Sequence, residues 1–200
     1  MSVKARRALV SVYDKSGIED LVQALHAMDI EIISTGGTAR AIRTAGVPCK
    51  DLSDITGFPE MLDGRVKTLH PRVHGALLAR REDPEHMNTL DEHQIQPIDI
   101  VCVNLYPFEQ TVAAPGCTFA EAIENIDIGG PTMLRSAAKN HASIYVLSSP
   151  AQYPEAIKLL RTKNGFIDPA FARTLAREVY RLTSQYDDAI TAYLGCQIKN

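Results

Sequence analysis

Short apolar runs that alternate with segments of helical period constrain this chain more than any other feature of it. Ala8-Leu9-Val10-Ser11-Val12 is the first such run, after which Ile18, Leu21, Val22, Leu25 and Met28 recur at helical spacing. Ile30, Ile32 and Ile33 form a second apolar run, and Ala39 to Ala45 reads as a second helix with Gly46 at its C′ position. Strands that are apolar along their length are buried on both faces, and parallel strands need crossovers that helices supply. The pattern predicts an α/β fold, a doubly wound parallel sheet flanked by helices.

The same alternation continues downstream. Ile98–Leu105 reads as a central strand ending at Tyr106-Pro107, and Ile144–Leu147 as the last strand. Ser16 with Glu19 and Thr118 with Glu121 have the spacing of capping boxes, and Asp83-Pro84 opens a short helix. Asp127-Ile128-Gly129-Gly130-Pro131 is a Gly-rich turn with Pro131 at a first helical position, leading into a helix through Lys139. From about residue 150 the chain is a helical C-terminal extension of a single 1–200 domain. It comprises Pro150–Lys163, then Asp168-Pro169 opening a long amphipathic helix with Phe171, Leu175, Val179 and Leu182 on one side. That stripe fits either core or dimer packing. Asp54–His70 shows neither period and is longer than a connector needs, which marks it as a functional loop.

Composition narrows the function classes. The chain carries 21 Lys+Arg against 24 Asp+Glu, a formal charge of -3, so it lacks the basic excess of a general nucleic-acid binder. An anionic ligand must then be met by a local cluster. No apolar run exceeds four residues, and the basic start MSVKARRALV has no apolar h-region, which argues against a membrane span or export. Cys49, Cys102, Cys117 and Cys196 include no CxxC pair and read as reduced thiols in a cytoplasm, Cys102 as a small hydrophobe of a buried strand.

Ligands of open parallel sheets bind beyond the carboxyl ends of the strands. Tyr13-Asp14-Lys15, Thr35-Gly36-Gly37-Thr38, Asn104-Leu105-Tyr106 and Asp127-Ile128-Gly129-Gly130 all fall there. The S-T-G-G-T turn offers open backbone N–H groups, two hydroxyls and a helix N-terminus, which suit a phosphate, although such turns also serve geometry alone. Lys15, Arg65 and Lys67 add cations, with a solvated surface charge as the alternative for each. Asp127 and Lys139 flank the G-G-P turn, and a surface ion pair is the bland reading of the two. His70 and His74 have a metal-ligand spacing, but no carboxylate pattern follows and Pro71 intervenes, so no metal is expected.

SVYDKSG, STGGTA, TGFPEMLDGRVKTLHPRVHG, VNLYPF and ENIDIGGPTMLRSAAKNH occur in this order. With these segments the chain resembles the inosine monophosphate cyclohydrolase domain of the bifunctional purine-biosynthesis family, whose other half is the aminoimidazole-carboxamide ribonucleotide formyltransferase. The resemblance covers essentially the whole chain. It implies a methylglyoxal-synthase-like fold, and a reaction in which the carboxamide nitrogen of the formylated ribonucleotide attacks its own formamide carbon and water leaves. No cofactor or metal is implied. Lys67, Tyr106, Asp127 and Lys139 are the implied catalytic group, with Asp127 and Lys139 moving the carboxamide proton and Lys67 and Tyr106 meeting the formyl oxygen.

The implied nucleotide-binding positions are Ser11, Tyr13, Asp14, Lys15, Thr35, Gly36, Gly37, Thr38, Arg65, Val66, Thr68, Val103, Asn104, Ile128 and Gly129. Members of the family often have Ser where this chain has Tyr13, and the larger phenol predicts a different side-chain contact. The resemblance also implies a homodimer and, in a full-length protein, a formyltransferase domain absent from these 200 residues. The rival readings are methylglyoxal synthase, which shares the fold, and a non-catalytic regulatory module that binds a nucleotide or phosphate. The TGFPEM–RVKTLH segment with Tyr106 and Lys139 speaks against the first. The presence of all four catalytic side-chain types speaks against the second.

Overall fold

β1 (Arg7–Val12) is the central strand of a five-stranded sheet that also contains β2 (Glu31–Ser34), β3 (Lys50–Asp51), β4 (Ile100–Asn104) and β5 (Tyr145–Leu147). A computed structural model of the chain describes residues 3–197. Every pairing is parallel and the spatial order is β3-β2-β1-β4-β5. The chain therefore winds outward from β1 on one side before returning to its other side. Loops that leave β1 and β4 diverge, and the crevice between their carboxyl ends is the switch point where open α/β sheets bind ligands. Register pairs Val12 with Asn104 at that crevice.

The expected burial of the strands is met. Leu9, Ile33, Ile100, Val101 and Val146 have no exposed surface, each removing a side chain from water at a gain of about 1.5–3 kcal/mol. On the helical side, α1 (Ile18–His26) packs with α2 (Gly36–Thr44), while α3 (Leu52–Thr56) packs with α4 (Pro71–Leu78). α5 (Pro84–Glu92), α6 (Phe108–Ala113) and α7 (Phe119–Glu124) precede α8 (Gly129–Lys139), which lies against β4, β5 and α4. α9 (Tyr153–Thr162) rests on α1, and α10 (Pro169–Gln197) on α8 and β5. Leu175 and Val179 of the amphipathic stripe are buried, and Phe171 meets Tyr145 edge-on at 5.3 Å, so within this chain the stripe is core.

Several local expectations need correction. No capping box forms at Ser16: α1 is entered through Gly17 at φ 67°, and the Ser16 N–H donates instead to Asp14 Oδ1 at 2.9 Å. An Asx turn has replaced the cap, as Asp readily allows. The Thr118–Glu121 box is present. α2 begins at Gly36, three residues before the expected Ala39, because the glycines that suit an anion also suit a first turn. Pro131 is the third residue of α8, not the first. The 54–70 segment includes the end of α3 and a short 3-10 turn at Leu62–Gly64. Among the described residues no helix is long and apolar enough to cross a membrane.

The amino edge of the sheet is locked by a buried carboxylate. Asp99 Oδ2 accepts the Arg6 and Arg7 N–H groups at 2.8 and 3.1 Å, and Arg81 donates to Oδ1 at 3.3 Å and to the Ile98 carbonyl at 2.8 Å. Burial pushes the Asp99 carboxyl above its ordinary value against the pull of these donors.

Candidate active site

A cavity of about 680 Å³ opens at the switch point. Its floor comes from the ends of β1 and β4, where Asn104 ties the two strands' loops together. Asn104 Oδ1 accepts the Tyr13 and Asp14 N–H groups at 2.7 and 2.9 Å, and its Nδ2 donates to the Asp14 carbonyl at 2.9 Å. Asn104 thus shapes the loop that leaves β1 at the cavity floor. Buried Thr38 does the same for β1: its hydroxyl accepts from the Val12 N–H and donates to the Val12 carbonyl.

Two helix N-termini converge on this space. Thr35 gives α2 no side-chain cap, its hydroxyl lying 3.1 Å from Ser11 Oγ, and Gly36 and Gly37 of the first turn line the cavity. Unpaired first-turn N–H groups and the positive end of the helix dipole suit a phosphate. At the second N-terminus, Asp127 Oδ1 accepts the Gly130 N–H of α8 at 2.8 Å, while the Asp127 N–H donates to Tyr186 Oη of α10 at 2.8 Å. Glycine is required at 130 because a Cβ there would collide with the Asp127 carboxylate and Leu105. Burial pushes the Asp127 carboxyl above its ordinary 3.8, opposed by the Gly130 donor and by the nearby Lys67 charge.

Cations and aromatic rings complete the walls. Lys67 Nζ lies 3.2 Å from Glu60 Oε2, and Arg65 pairs with Glu124. Lys15 Nζ donates to the Tyr13 carbonyl at 3.2 Å. The Tyr13 and Tyr106 rings meet with centroids 4.8 Å apart at 47°, and both stay about half exposed at the cavity mouth. The phenol at position 13 therefore forms part of an aromatic wall with Tyr106.

Of the expected site residues, Ser11, Tyr13, Lys15, Thr35 to Thr38, Arg65, Lys67, Thr68, Val103, Asn104, Tyr106 and Asp127 to Gly129 line this one cavity. Asp14 and Val66 do not line it; Asp14 holds the Ser16 N–H and Val66 closes a bridge with Met61. Lys139 requires a larger correction. It is the exposed last residue of α8, and ten residues of rise separate it from Gly129, about 15 Å along the axis. Among the described residues Lys139 forms no ion pair with Asp127, whose carboxylate accepts the Gly130 N–H.

Residues 17–132 match the family model described as MGS-like domain, and residues 137–200 match the one described as AICARFT/IMPCHase bienzyme. The chain belongs to the MGS-like domain family. It is 54% identical over 192 residues to the bifunctional purine biosynthesis protein PurH of Magnetococcus marinus, covering 96% of this chain and 36% of that protein. With PurH of Halalkalibacterium halodurans it shares 56% identity over 189 residues, 94% of this chain and 37% of the relative. The chain thus spans a little over a third of the length of these relatives. Among solved structures, the crystal structure of ForH superposes with a TM-score of 0.85 at 35% identity, covering 95% of this chain and 97% of that one. The family expected from the TGFPEM, RVKTLH and NIDIGG segments is the one found.

In this MGS-like domain, sequence reasoning passed over Glu60, Asp63, Glu124, Asn125 and Ile126, which also line the cavity. All five lie inside the TGFPEMLDGRVKTLH and ENIDIGG segments that carry the resemblance, so a signal existed without a role attached to it. The histidine pair is explained structurally. His70 Nδ1 accepts the Arg72 N–H as the cap of α4, and His74 Nδ1 lies 3.0 Å from Ser136 Oγ. Cys102 is fully buried with its thiol 3.2 Å from Tyr153 Oη, and burial pushes that thiol up to about 12.

Proposed function

We propose that this chain closes the pyrimidine ring of inosine monophosphate, converting 5-formamidoimidazole-4-carboxamide ribonucleotide to the purine nucleotide with loss of water. The observation that carries the reading is the meeting of Lys67, Tyr106 and Asp127 in one cavity beside the N-termini of α2 and α8. The phosphate goes to the Gly36-Gly37 N–H groups with Lys15 as its counter-charge. The heterocycle then lies along the β1–β4 crevice, toward Asp127.

In the reaction the carboxamide nitrogen forms a bond to the formyl carbon, whose oxygen becomes an oxyanion and leaves as water. That water takes one proton from the carboxamide and one from the formamide nitrogen. The reacting groups share one molecule, so the protein's part is to fix their rotamer and manage charge. Asp127, with a carboxyl pushed upward by burial, is suited to accept the carboxamide proton near neutral pH. The Lys67 ammonium and the Tyr106 phenol supply donors for the formyl oxygen, the kind of preorganised stabilisation that commonly dominates such barriers. Lys139 has no step in this scheme.

The relatives' name fits a longer protein in which another portion supplies the formyl group, and a cytoplasmic homodimer remains part of the proposal. Turnover is read from the ultraviolet absorbance change when the formylated carboxamide ribonucleotide is added to the chain. Product formation that Lys67→Met lowers about a hundredfold or more is expected. Tight nucleotide binding without any turnover would instead favour a regulatory binding module.

A further inference from the structure

The loop from Glu60 to Lys67 is built as a closed clamp. Met61 and Val66 form an antiparallel bridge with both backbone hydrogen bonds made, Met61 N–H to the Val66 carbonyl at 3.0 Å and the reverse at 3.3 Å. That bridge sets Glu60 and Lys67 side by side at the loop's base, where Nζ and Oε2 are 3.2 Å apart. Three consecutive residues in the left-handed region make the tip, Leu62 at φ 52°, Asp63 at 53° and Gly64 at 92°. The first two are costly for residues with a Cβ, and such conformations persist where surrounding structure enforces them. The tip folds back over the ion pair: a Cβ on Gly64 would sit 3.5 Å from Glu60 Oε1 and 3.6 Å from Lys67 Nζ.

Lys67 has a second carboxylate within electrostatic reach, Asp127, yet among the described residues it makes a direct ion pair only with Glu60. We propose that Glu60 is a positioning residue that holds Lys67 off Asp127, keeping the carboxylate open to accept a proton and the ammonium directed at the formyl oxygen. The inference rests on the ring-closure reading for its chemical meaning, but its geometry does not. A lysine released from Glu60 would collapse onto Asp127 and neutralise two groups that must act separately. The other groups around the pair leave this competition intact. Arg65 is engaged by Glu124, Asp63 belongs to the loop tip, and among the described residues the Asp127 carboxylate accepts the Gly130 N–H of α8 while its backbone N–H donates to Tyr186 of α10.

The test is Glu60→Gln, read in two ways. Carboxyl NMR of the chain, with the Asp127 signal assigned by its loss in Asp127→Asn, should show the Asp127 titration midpoint moving to lower pH in Glu60→Gln. In a Lys67→Met background the same substitution should leave the midpoint unmoved. Independently, kcat should fall about tenfold or more with KM changed less than about twofold, and its acid limb should move to lower pH. Glu60→Asp, which keeps the charge, should recover part of the rate. An unmoved Asp127 midpoint, or a kcat equal to or above wild type, would overturn the proposal. Absence of wild-type turnover would sink the ring-closure reading alone, because the NMR titration still decides the role of Glu60.

Discussion

At the amino edge of the sheet Asp99 accepts three protein donors, from Arg6, Arg7 and Arg81, whereas at the carboxyl edge Asp127 accepts one and otherwise faces an open cavity. Both carboxylates are pushed above their ordinary range by burial. The difference lies in where their remaining hydrogen-bonding capacity points. At Asp99 the chain itself occupies it, so the charge joins β1 to β4 and anchors Arg81. At Asp127 that capacity opens on the cavity. A buried charge is architecture where protein donors enclose it and chemistry where they do not.

The largest separation between the edges should appear in stability. Asp99→Ala strips Arg81 of its counter-charge and two backbone N–H groups of their acceptor, and should cost about 3–5 kcal/mol in urea unfolding. Asp127→Asn should behave in the opposite sense. Because the folded-state pKa of Asp127 is raised, its ionised form destabilises the fold. That cost is absent below pH 3.8 and appears as pH rises through the site's own raised pKa. The amide variant escapes it, so thermal melts at pH 7 should show stability equal to or above wild type. The same loss of charge at Asp99 should show no comparable gain, since Arg81 would be left buried without a partner.

Asn104→Ala comes next. It removes three hydrogen bonds from the β1–α1 loop at an exposed position, and should cost about 1–2 kcal/mol while weakening nucleotide binding measured by calorimetry. The smallest effect belongs to Lys139→Ala, which truncates an exposed side chain at the amino-edge end of α8. Stability should change by less than about 0.5 kcal/mol and the rate of the isolated chain by less than about twofold. A large rate loss would mean that Lys139 reaches a cavity by a route outside its own chain.

How legible each region was in the sequence follows from the range of the forces that build it. Strands with Leu9, Ile33 and Val101 are apolar because both faces are covered, and that requirement is written locally. Parallel topology brought the strand-end loops of Tyr13, Lys15, Thr35 to Thr38, Asn104 and Tyr106 together, whereas Ser11, Thr68 and Val103 were legible only through the family resemblance. The Ser16 cap failed because Asp14 competes for the same N–H, a choice between two sound local signals. The Tyr13–Tyr106 contact and the Glu60–Lys67 clamp depend on long-range register and on left-handed backbone, neither of which leaves a periodic trace. Lys139 was legible by residue type alone, and its helix carries it about 15 Å along the axis from the start of α8, outside the cavity lining of its own chain.

The most direct measurement compares turnover of the formylated carboxamide ribonucleotide by the wild-type chain and by Asp127→Asn, at equal folded concentration confirmed by thermal melts. Product from the wild type and a loss of about a hundredfold or more in the variant, without loss of stability, is the expected result. Equal rates from the two proteins would contradict the placing of proton transfer at the carboxyl edge of the sheet.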